Sequence, residues 1–318
     1  MGLSAATSAA SRSRNLWIGP LCAVVGVFGF SFKAILIKLA YKTYPVDAVT
    51  LLTLRMLYSA PLFCLMAWWA SRAPGTAPIV RRDWTRLVWL GLIGYYLASL
   101  LDFAGLQYIT ASLERLVLYL YPTFVMILSA LLLRKPVTRR ALIAVAVSYA
   151  GIALVFRHDV RIGGDMASTL TGGTLVLGSA LFYALYLVQA GDIIHRLGSL
   201  RFTAWAMLGS TVFVLAQFAL TRPWSALDVP PDIHWISIAM AVVSTALPTW
   251  LIAESVRRMG ANAASLVGAL GPVFTIGFGA VILGESIHAI QLAGAALVLT
   301  GVLLVTLKAR TSGAADPV

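Results

Sequence analysis

The sequence predicts an all-α polytopic membrane protein in which ten transmembrane helices form two inverted repeats of five helices. Three observations support this prediction: 60% of the residues are hydrophobic, only 11% are charged, and part of the second half of the chain repeats the first. In a soluble domain, roughly a quarter of all residues are charged. This chain therefore could not cover a water-exposed surface, and we expect most of it to lie within a lipid bilayer.

The repeat is visible when residues 111–156 are shifted by 150 positions onto residues 261–306. In this gapless alignment 13 of 46 pairs are identical, and Pro122 meets Pro272. Two unrelated apolar segments would share about one pair in ten. Because duplicated hydrophobic units are typical of secondary transporters, the repeat bears on function as well as on fold.

A transmembrane helix needs about 20 mostly apolar residues, and on this criterion we predict ten spans, of which the fifth is short. The spans are residues 17–40, 46–70, 86–108, 110–133, 139–156, 172–194, 201–221, 233–256, 262–283 and 288–308. The predicted organisation is a cytoplasmic tail, a first repeat, a connecting loop, a second repeat and a second cytoplasmic tail, at residues 1–16, 17–156, 157–171, 172–308 and 309–318.

The net charge of +12 follows the predicted topology rather than a nucleic-acid surface. Segments predicted to be cytoplasmic contain 16 basic residues, whereas the opposite loops contain 4. By the positive-inside rule, this bias places both termini in the cytoplasm. We expect an integral protein of the bacterial inner (cytoplasmic) membrane, with the lipid bilayer and a small-molecule substrate as partners and no nucleic acid. Whether the chain forms a homo-oligomer stays open.

Each copy contains five spans, an odd number, so the second copy enters the membrane from the opposite side. Inverted repeats supply two packings of similar energy and place the substrate near the midplane between the copies. Pro122 and Pro272 occupy equivalent positions in the fourth span of each copy, where each removes a backbone donor. We predict that both residues act as hinges or bends around the cavity.

Two five-helix halves, each with a Tyr-Pro or Gly-Pro step in its fourth helix, resemble the EamA-type transporters of the drug/metabolite transporter superfamily. The Gly284–Glu285 step is typical of that family, whereas its first-half counterpart, Arg134–Lys135, departs from it. The resemblance covers nearly the whole chain and implies export or exchange of amino acids, metabolites or drugs, without naming a substrate. The strings that carry it are LDFAGLQYITASLERLVLYLYP (101–122), GALGPVFTIGFGAVILGESI (268–287) and TGVLLV (300–305).

Ionisable residues within a span cost several kcal/mol unless they are paired or hydrated, so each is a candidate for the transport pathway. At a rise of about 1.5 Å per residue, those of the first copy all fall in the outer half of the bilayer: Lys33, Lys38, Arg55, Asp102, Glu114 and Arg115. The second copy places its polar groups toward the cytoplasm, at Gln189, Asp192, Glu254 and Asn262.

Partners for these charges are only partly defined by the sequence. Asp102 and Arg115 lie at similar depth and could pair, whereas Arg55 requires a cavity or a carboxylate partner. Lys38 is close enough to the surface to snorkel.

Aromatic and polar residues share helix faces and complete the predicted pathway. Arg115, Tyr119 and Pro122 follow i, i+4, i+7 spacing, and such mixed faces suit amphipathic metabolites. Single aromatic residues could equally serve ordinary packing or interfacial anchoring. The predicted pathway residues are Lys33, Arg55, Tyr95, Ser99, Asp102, Glu114, Arg115, Tyr119, Tyr183, Tyr186 and Trp250. The predicted proton-coupling groups are Asp102, Glu114 and Glu254.

We therefore predict a secondary active transporter that exports or exchanges small metabolites, such as amino acids or organic anions, by alternating access. The outer charges comprise four cations and two anions, which favours a substrate with a carboxylate or phosphate, although unpaired cations could instead reach lipid headgroups. The alternative is a multidrug or cationic-compound exporter. We expect the residues that break the symmetry, Glu114 and Arg115 opposite Ala264 and Ser265, to determine selectivity.

An enzyme is not expected, because all four histidines fall in loops or at span ends without a catalytic partner. Cys22 and Cys64 lack metal-ligand spacing, so we expect neither a metal site nor a cofactor. Coupling to protons or to a counter-substrate is expected, because the sequence contains no P-loop for direct use of ATP.

Overall fold

The computed structural model describes residues 2–73, 78–133, 139–162, 165–259, 267–268 and 270–312. These residues form ten apolar helical units and no β-strand, which confirms the all-α polytopic fold. Seven helices are long and apolar enough to cross a membrane. Three shorter apolar stretches complete the ten: Leu142–His158, Gly271–Leu283 and Ala289–Gly301.

The first repeat contains α1 to α5, and two of these helices are irregular. Helix α3 has a π-helical turn between two α-helical parts, and α4 is interrupted by a turn at Tyr119 and Leu120. The bounds are α1 Gly2–Thr43, α2 Ala48–Ser71, α3 Arg81–Leu90 with Gly91–Leu97 (π) and Ala98–Gly105, α4 Ala111–Leu118 with Tyr121–Leu133, and α5 Arg139–Ile162.

The second repeat contains α6 to α10. A 3₁₀ turn, Trp224–Leu227, connects α7 to α8, and α8 contains a π-helical turn like that of α3. The bounds are α6 Met166–Leu197, α7 Ser199–Thr221, α8 Pro231–Ala241 with Val242–Ala246 (π) and Leu247–Met259, α9 Gly271–Leu283, and α10 Ala289–Ser312.

Helical structure extends past several predicted boundaries, because backbone hydrogen bonding does not stop where the apolar residues end. The predicted tail 1–16 is helical from Gly2 onward and belongs to α1. The predicted loop 157–171 is largely helical, since α5 continues to Ile162 and α6 begins at Met166. Helix α10 likewise continues to Ser312.

The irregular helices are related by the same offset of 150 residues that relates the sequences. The π-helical turns Gly91–Leu97 and Val242–Ala246 coincide after this shift. The turn that interrupts α4 also recurs: Leu120 N–H donates to Val117 O at 3.0 Å, and Leu270 N–H donates to Val267 O at 3.0 Å. The internal repeat is thus a repeat of backbone irregularities and not only of apolar composition.

Pro122 and Pro272 lie in the first turn of the helical segments that begin at Tyr121 and Gly271. A helix leaves its first N–H groups without an intrahelical partner, so proline is tolerated there. At Pro122 the chain therefore ends one helical segment and starts another, rather than kinking a continuous helix, and Pro272 is the second residue of the segment that begins at Gly271.

Helix α1 belongs to the first repeat by sequence but packs against α8 and α9 of the second. Ser31 Oγ donates to Gly271 O at 3.1 Å, and the Phe32 and Phe278 rings lie 4.0 Å apart. Gly29 faces the π-helical turn of α8, because a methyl group at Gly29 would lie 2.6 Å from Val243 O. The two repeats therefore interlock through α1.

Helices α5 and α10 pack through small residues. A methyl group at Gly151 would lie 2.6 Å from Gly294 O, and one at Gly301 would lie 2.5 Å from Ala144 O. Only glycine permits such an approach of two backbones, as is common between membrane helices. This contact joins the last helix of each repeat.

Asp47 ties the start of α2 to the end of α7. Its carboxylate accepts hydrogen bonds from Val49 N at 3.0 Å, from Thr50 Oγ1 at 2.6 Å and from Arg222 Nε at 3.2 Å. Burial alone would raise the pKa of Asp47, but the hydrogen bonds from Thr50 and Arg222 outweigh it, so that its pKa lies below the usual 3.8.

We expect the stabilisation from Asp47 to depend on pH. A pKa that is lower in the folded state gives stability that is complete above the unfolded value and is lost as the pH falls through the folded value. Asp47→Asn should lower the melting temperature at neutral pH, and the difference from wild type should shrink below pH 3.8. A difference that stays constant across this range would contradict the assignment.

Candidate functional site

Lys33 of α1 lies between two buried carboxylates, Asp102 of α3 and Glu114 of α4. Its Nζ is 2.6 Å from Asp102 Oδ2 and 4.0 Å from Glu114 Oε1. Asp102 is 1% exposed and Glu114 is fully buried. The structure therefore brings together three predicted pathway residues from three helices. We call Asp102 and Glu114 the carboxylate pair.

Arg55 of α2 is buried beside this group but makes different contacts from those expected. Its guanidinium carbon lies 4.8 Å from the centre of the Phe103 ring, and its Nη2 donates to Ser99 Oγ at 3.1 Å. A cation over an aromatic face is attracted by the ring quadrupole. Phe103 and Ser99 are thus its direct contacts, and the Asp102 carboxylate attracts it from a longer distance.

The last turns of α1 cap the ends of α3 and α9. Lys38 Nζ donates to Leu106 O at 3.1 Å, Tyr41 Oη donates to Phe103 O at 2.8 Å, and Lys42 Nζ donates to Leu283 O at 2.7 Å. The last carbonyls of a helix lack intrahelical partners and carry partial negative charge, so they attract lysine. Lys38 therefore caps a helix instead of only snorkelling.

The Gly284–Glu285 step connects the second repeat to the first. Gly284 has φ 69°, in the left-handed region that favours glycine, and ends α9. The Glu285 carboxylate then accepts hydrogen bonds from Ala111 N–H at 3.3 Å and from Ser112 Oγ at 3.1 Å. It thereby caps the N-terminus of α4, the helix that carries Glu114 and Arg115.

We expect Glu285→Ala to lower the free energy of unfolding by about 0.5–2 kcal/mol, as for loss of a helix-capping side chain. Glu285→Gln should cost less, because its amide oxygen can still accept one of the two hydrogen bonds. Thermal unfolding in detergent measures both variants. A melting temperature unchanged by Glu285→Ala would contradict the capping contact.

Five tyrosines from three helices form a continuous aromatic group, which we call the tyrosine cluster. Successive ring centres lie between 5.1 and 5.8 Å apart, and two of the hydroxyl groups are 2.9 Å apart. In order of contact the members are Tyr119, Tyr121, Tyr183, Tyr186 and Tyr95. Four of them are predicted pathway residues.

Tyr121 was not predicted, because a continuous helix would place it off the face shared by Arg115, Tyr119 and Pro122. The turn at Tyr119 and Leu120 changes the direction of the side chain. The proline at 122 is the sequence signal that could have indicated this change, since it marks the start of a new helical segment.

Arg115 extends from α4 toward the second repeat. The Arg115 guanidinium lies against Gly271 at the start of α9, since a methyl group there would be 2.8 Å from Arg115 Nη2. Arg115 is 9% exposed. It interacts electrostatically with the hydroxyl groups of Tyr119, Tyr121 and Tyr183. Arg115 is thus placed between the two repeats and beside the tyrosine cluster.

The guanidinium of Arg115 makes no hydrogen bond or salt bridge within the described residues, and its Nε is buried. Asp102 forms its salt bridge with Lys33 instead, and Arg115 attracts the Asp102 and Glu114 carboxylates from a longer distance. A buried guanidinium costs free energy unless it is paired. The Arg115 guanidinium therefore has donors that no described residue uses.

Two predicted residues lie apart from this group. Trp250 of α8 is 38% exposed and makes no ring contact with the aromatic residues that the structure describes. Glu254, also on α8, pairs with Arg258 one turn later, with Oε1 2.5 Å from Nε. Asn262, Ala264 and Ser265 lie outside the described residues. Over the described parts of the chain, no three His, Cys, Asp or Glu side chains could jointly hold a metal ion.

Comparison with known proteins identifies the family. The sequence model of the EamA-like transporter family matches residues 17–157 and 170–307. The chain belongs to the EamA-like transporter family. Its fold resembles a solved crystal structure with a TM-score of 0.62 and 19% sequence identity, over 92% of this chain and 98% of the other.

Relatives of this EamA-like transporter include proteins with and without a known solute. It is 31% identical to the uncharacterized transporter YcbK of Bacillus subtilis (strain 168), over 89% of this chain and 91% of YcbK. It is 24% identical to a probable terminal-alkyne amino-acid exporter of Streptantibioticus cattleyicolor, over 70% and 73% of the two chains. It is 28% identical to the S-adenosylmethionine/S-adenosylhomocysteine transporter of Chlamydia trachomatis, over 63% of each.

Proposed function

We propose that this chain carries a small solute with a carboxylate group, such as an amino acid or an organic anion, across the membrane by alternating access. The observation that supports this most is the Arg115 guanidinium, which lies between the repeats without a hydrogen-bonding partner in the described structure. Arginine binds carboxylates through two parallel hydrogen bonds. The tyrosine cluster beside it supplies apolar contact and hydroxyl groups for the rest of the solute.

The interrupted helices support alternating access. Transporters with inverted repeats commonly bind their solute where membrane helices are discontinuous and direct half-helix N-termini at anionic groups. Here α4 is interrupted at Tyr119 and Leu120, α9 begins with Gly271 at the position equivalent to Tyr121, and Arg115 lies against Gly271. We propose that Pro122 and Pro272 act as hinges at these positions.

We further propose that the moving units are the repeats at 17–156 and 172–308, in the bacterial inner membrane with both termini cytoplasmic. Export or exchange is the proposed direction, in keeping with the amino-acid exporter among the relatives. The cationic-compound alternative is disfavoured by charge. Asp102, the carboxylate that would attract a cation, is occupied by Lys33, and the unpaired Arg115 would repel one.

A thermal-shift screen of the purified protein tests this proposal, because a ligand stabilises the state that it binds. The panel contains amino acids, organic acids, nucleosides and cationic drugs. We expect a rise in melting temperature with solutes that carry a carboxylate, and a smaller rise with the corresponding amides. Stabilisation by cationic drugs alone would overturn the proposal in favour of the alternative.

A further inference from the structure

The proposed solute site at Arg115 does not explain how the two acidic side chains of the carboxylate pair are buried together. Asp102 and Glu114 are at most 1% exposed, and both carboxyl groups lie within 4.0 Å of the same Lys33 Nζ. Neither oxygen of Glu114 receives a hydrogen bond from an N–H or hydroxyl donor of the described residues. Two adjacent carboxylates in a dry site cannot both be ionised without a large cost.

Lys33 offsets only one of these two charges. Its Nζ contacts Asp102 at 2.6 Å but lies 4.0 Å from Glu114. A buried carboxyl group without donors is most readily accommodated when it is protonated and itself donates to a neighbouring carboxylate. An ammonium, an ionised Asp102 and a protonated Glu114 would together be electrically neutral.

The other charged groups near the pair are directed elsewhere. Arg55 of α2 lies over Phe103 and donates to Ser99, and Tyr41 of α1 donates to the Phe103 carbonyl. Arg115, next to Glu114 on α4, extends to Gly271 of α9. Glu285, which follows α9, is held by the N-terminus of α4. Among the described residues, Lys33 is thus the cation within 4.0 Å of the pair, while Arg115 attracts both carboxylates and Arg55 attracts Asp102 from a longer distance.

We propose that Asp102 and Glu114 share a single proton over Lys33 and form a proton-binding site separate from the solute site at Arg115. The proton lies on Glu114 and is donated in a hydrogen bond to the Asp102 carboxylate, whose second interaction is the ion pair with Lys33. That this proton is the coupling ion for transport rests on the proposed function. Its binding in the absence of solute does not.

The geometry assigns proton binding to this pair and not to Glu254. The Glu254 carboxylate has an arginine partner on its own helix, and its side chain is 18% exposed. Lys33 also occupies the position that a metal cation would need between the two carboxylates. The site is therefore expected to respond to pH and to be indifferent to sodium.

Infrared difference spectroscopy of the solute-free protein in lipid tests the proposal, because a protonated carboxyl group has a separate C=O stretching band. We expect wild type at neutral pH to show one more protonated carboxyl group per chain than either Glu114→Gln or Asp102→Asn. In each variant the remaining carboxylate can pair with Lys33 in ionised form. Asp228→Asn, in an exposed turn, is the matched control and should leave the band unchanged.

The infrared results that support the shared proton differ from those that would contradict it. Loss of the band in Glu114→Gln and in Asp102→Asn, but not in Asp228→Asn, supports the shared proton. Absence of the band from wild type, its persistence in both variants, or its removal by sodium would overturn the proposal. If one variant does not fold, the other decides, since each breaks the same hydrogen bond. Because no solute is added, a negative result in the infrared experiment is independent of the result of the thermal-shift screen.

Discussion

Lys33→Met is expected to lower the free energy of unfolding by about 3–5 kcal/mol, which is the cost of removing one partner of a buried ion pair. The substitution removes the ammonium that lies 2.6 Å from the 1% exposed Asp102 carboxylate. Asp102 would then have to remain charged in a dry environment or take up a proton of its own. Chemical or thermal unfolding in detergent measures this loss.

Two further variants show whether the effect arises from the ion pair. Lys42→Met, the same change on the same helix, removes a hydrogen bond to the Leu283 carbonyl and should cost about 0.5–1.5 kcal/mol. Adding Asp102→Asn to Lys33→Met should recover much of the stability, because no uncompensated charge then remains. A cost for Lys33→Met no larger than that of Lys42→Met, or additive effects in the double variant, would contradict the pairing.

Arg115→Gln should weaken binding of the stabilising solute about 10–100-fold. A hydrogen bond to a charged group contributes about 1.5–3 kcal/mol, and about 1.4 kcal/mol corresponds to a factor of ten in affinity. Arg115→Lys keeps the charge but loses the two parallel donors, so we expect an intermediate loss. Isothermal titration with the solute found in the thermal-shift screen measures these affinities.

The stability of the same variants distinguishes a binding residue from a structural one. Arg115 is buried without a hydrogen bond to the described residues, so Arg115→Gln should cost little stability, because only a longer-range attraction to Asp102 and Glu114 is lost. Residues selected for function commonly lower the stability of the protein. Arg86→Gln, at an exposed position of α3, is the control and should change neither property. A destabilised Arg115→Gln that retains wild-type affinity would show that Arg115 supports the fold.

The sequence predicted the fold well, because the apolar spans and the internal repeat can both be recognised without knowing any tertiary contact. It also predicted that Lys33, Asp102 and Glu114 all lie in the outer half of the bilayer, since helical rise converts position in a span into depth. Depth does not specify the neighbour across a helix interface, however. Asp102 therefore forms its salt bridge with Lys33 rather than with Arg115, and Arg55 lies over the Phe103 ring, a contact that the sequence did not predict.

The remaining errors have related causes. Tyr121 was missed because periodicity assumes a continuous helix, and the turn before Pro122 breaks that assumption. The predicted loop 157–171 is mostly helical because hydropathy indicates where a membrane ends and not where a helix ends. The contact of Glu285 with Ala111 joins residues far apart in the chain, and no single-sequence pattern indicates such a partner.

Solute counterflow in proteoliposomes tests the central claim, that the Arg115 site carries a carboxylate solute across the membrane, most directly. Vesicles are loaded with the unlabelled solute from the thermal-shift screen, and entry of the labelled solute is measured for wild type, Arg115→Gln and Arg86→Gln. We expect accumulation with wild type and Arg86→Gln, and a rate at least about tenfold lower with Arg115→Gln, because the lost hydrogen bonds to the carboxylate correspond to at least a tenfold loss of affinity. Equal accumulation with Arg115→Gln and wild type would contradict a role of Arg115 in binding the solute.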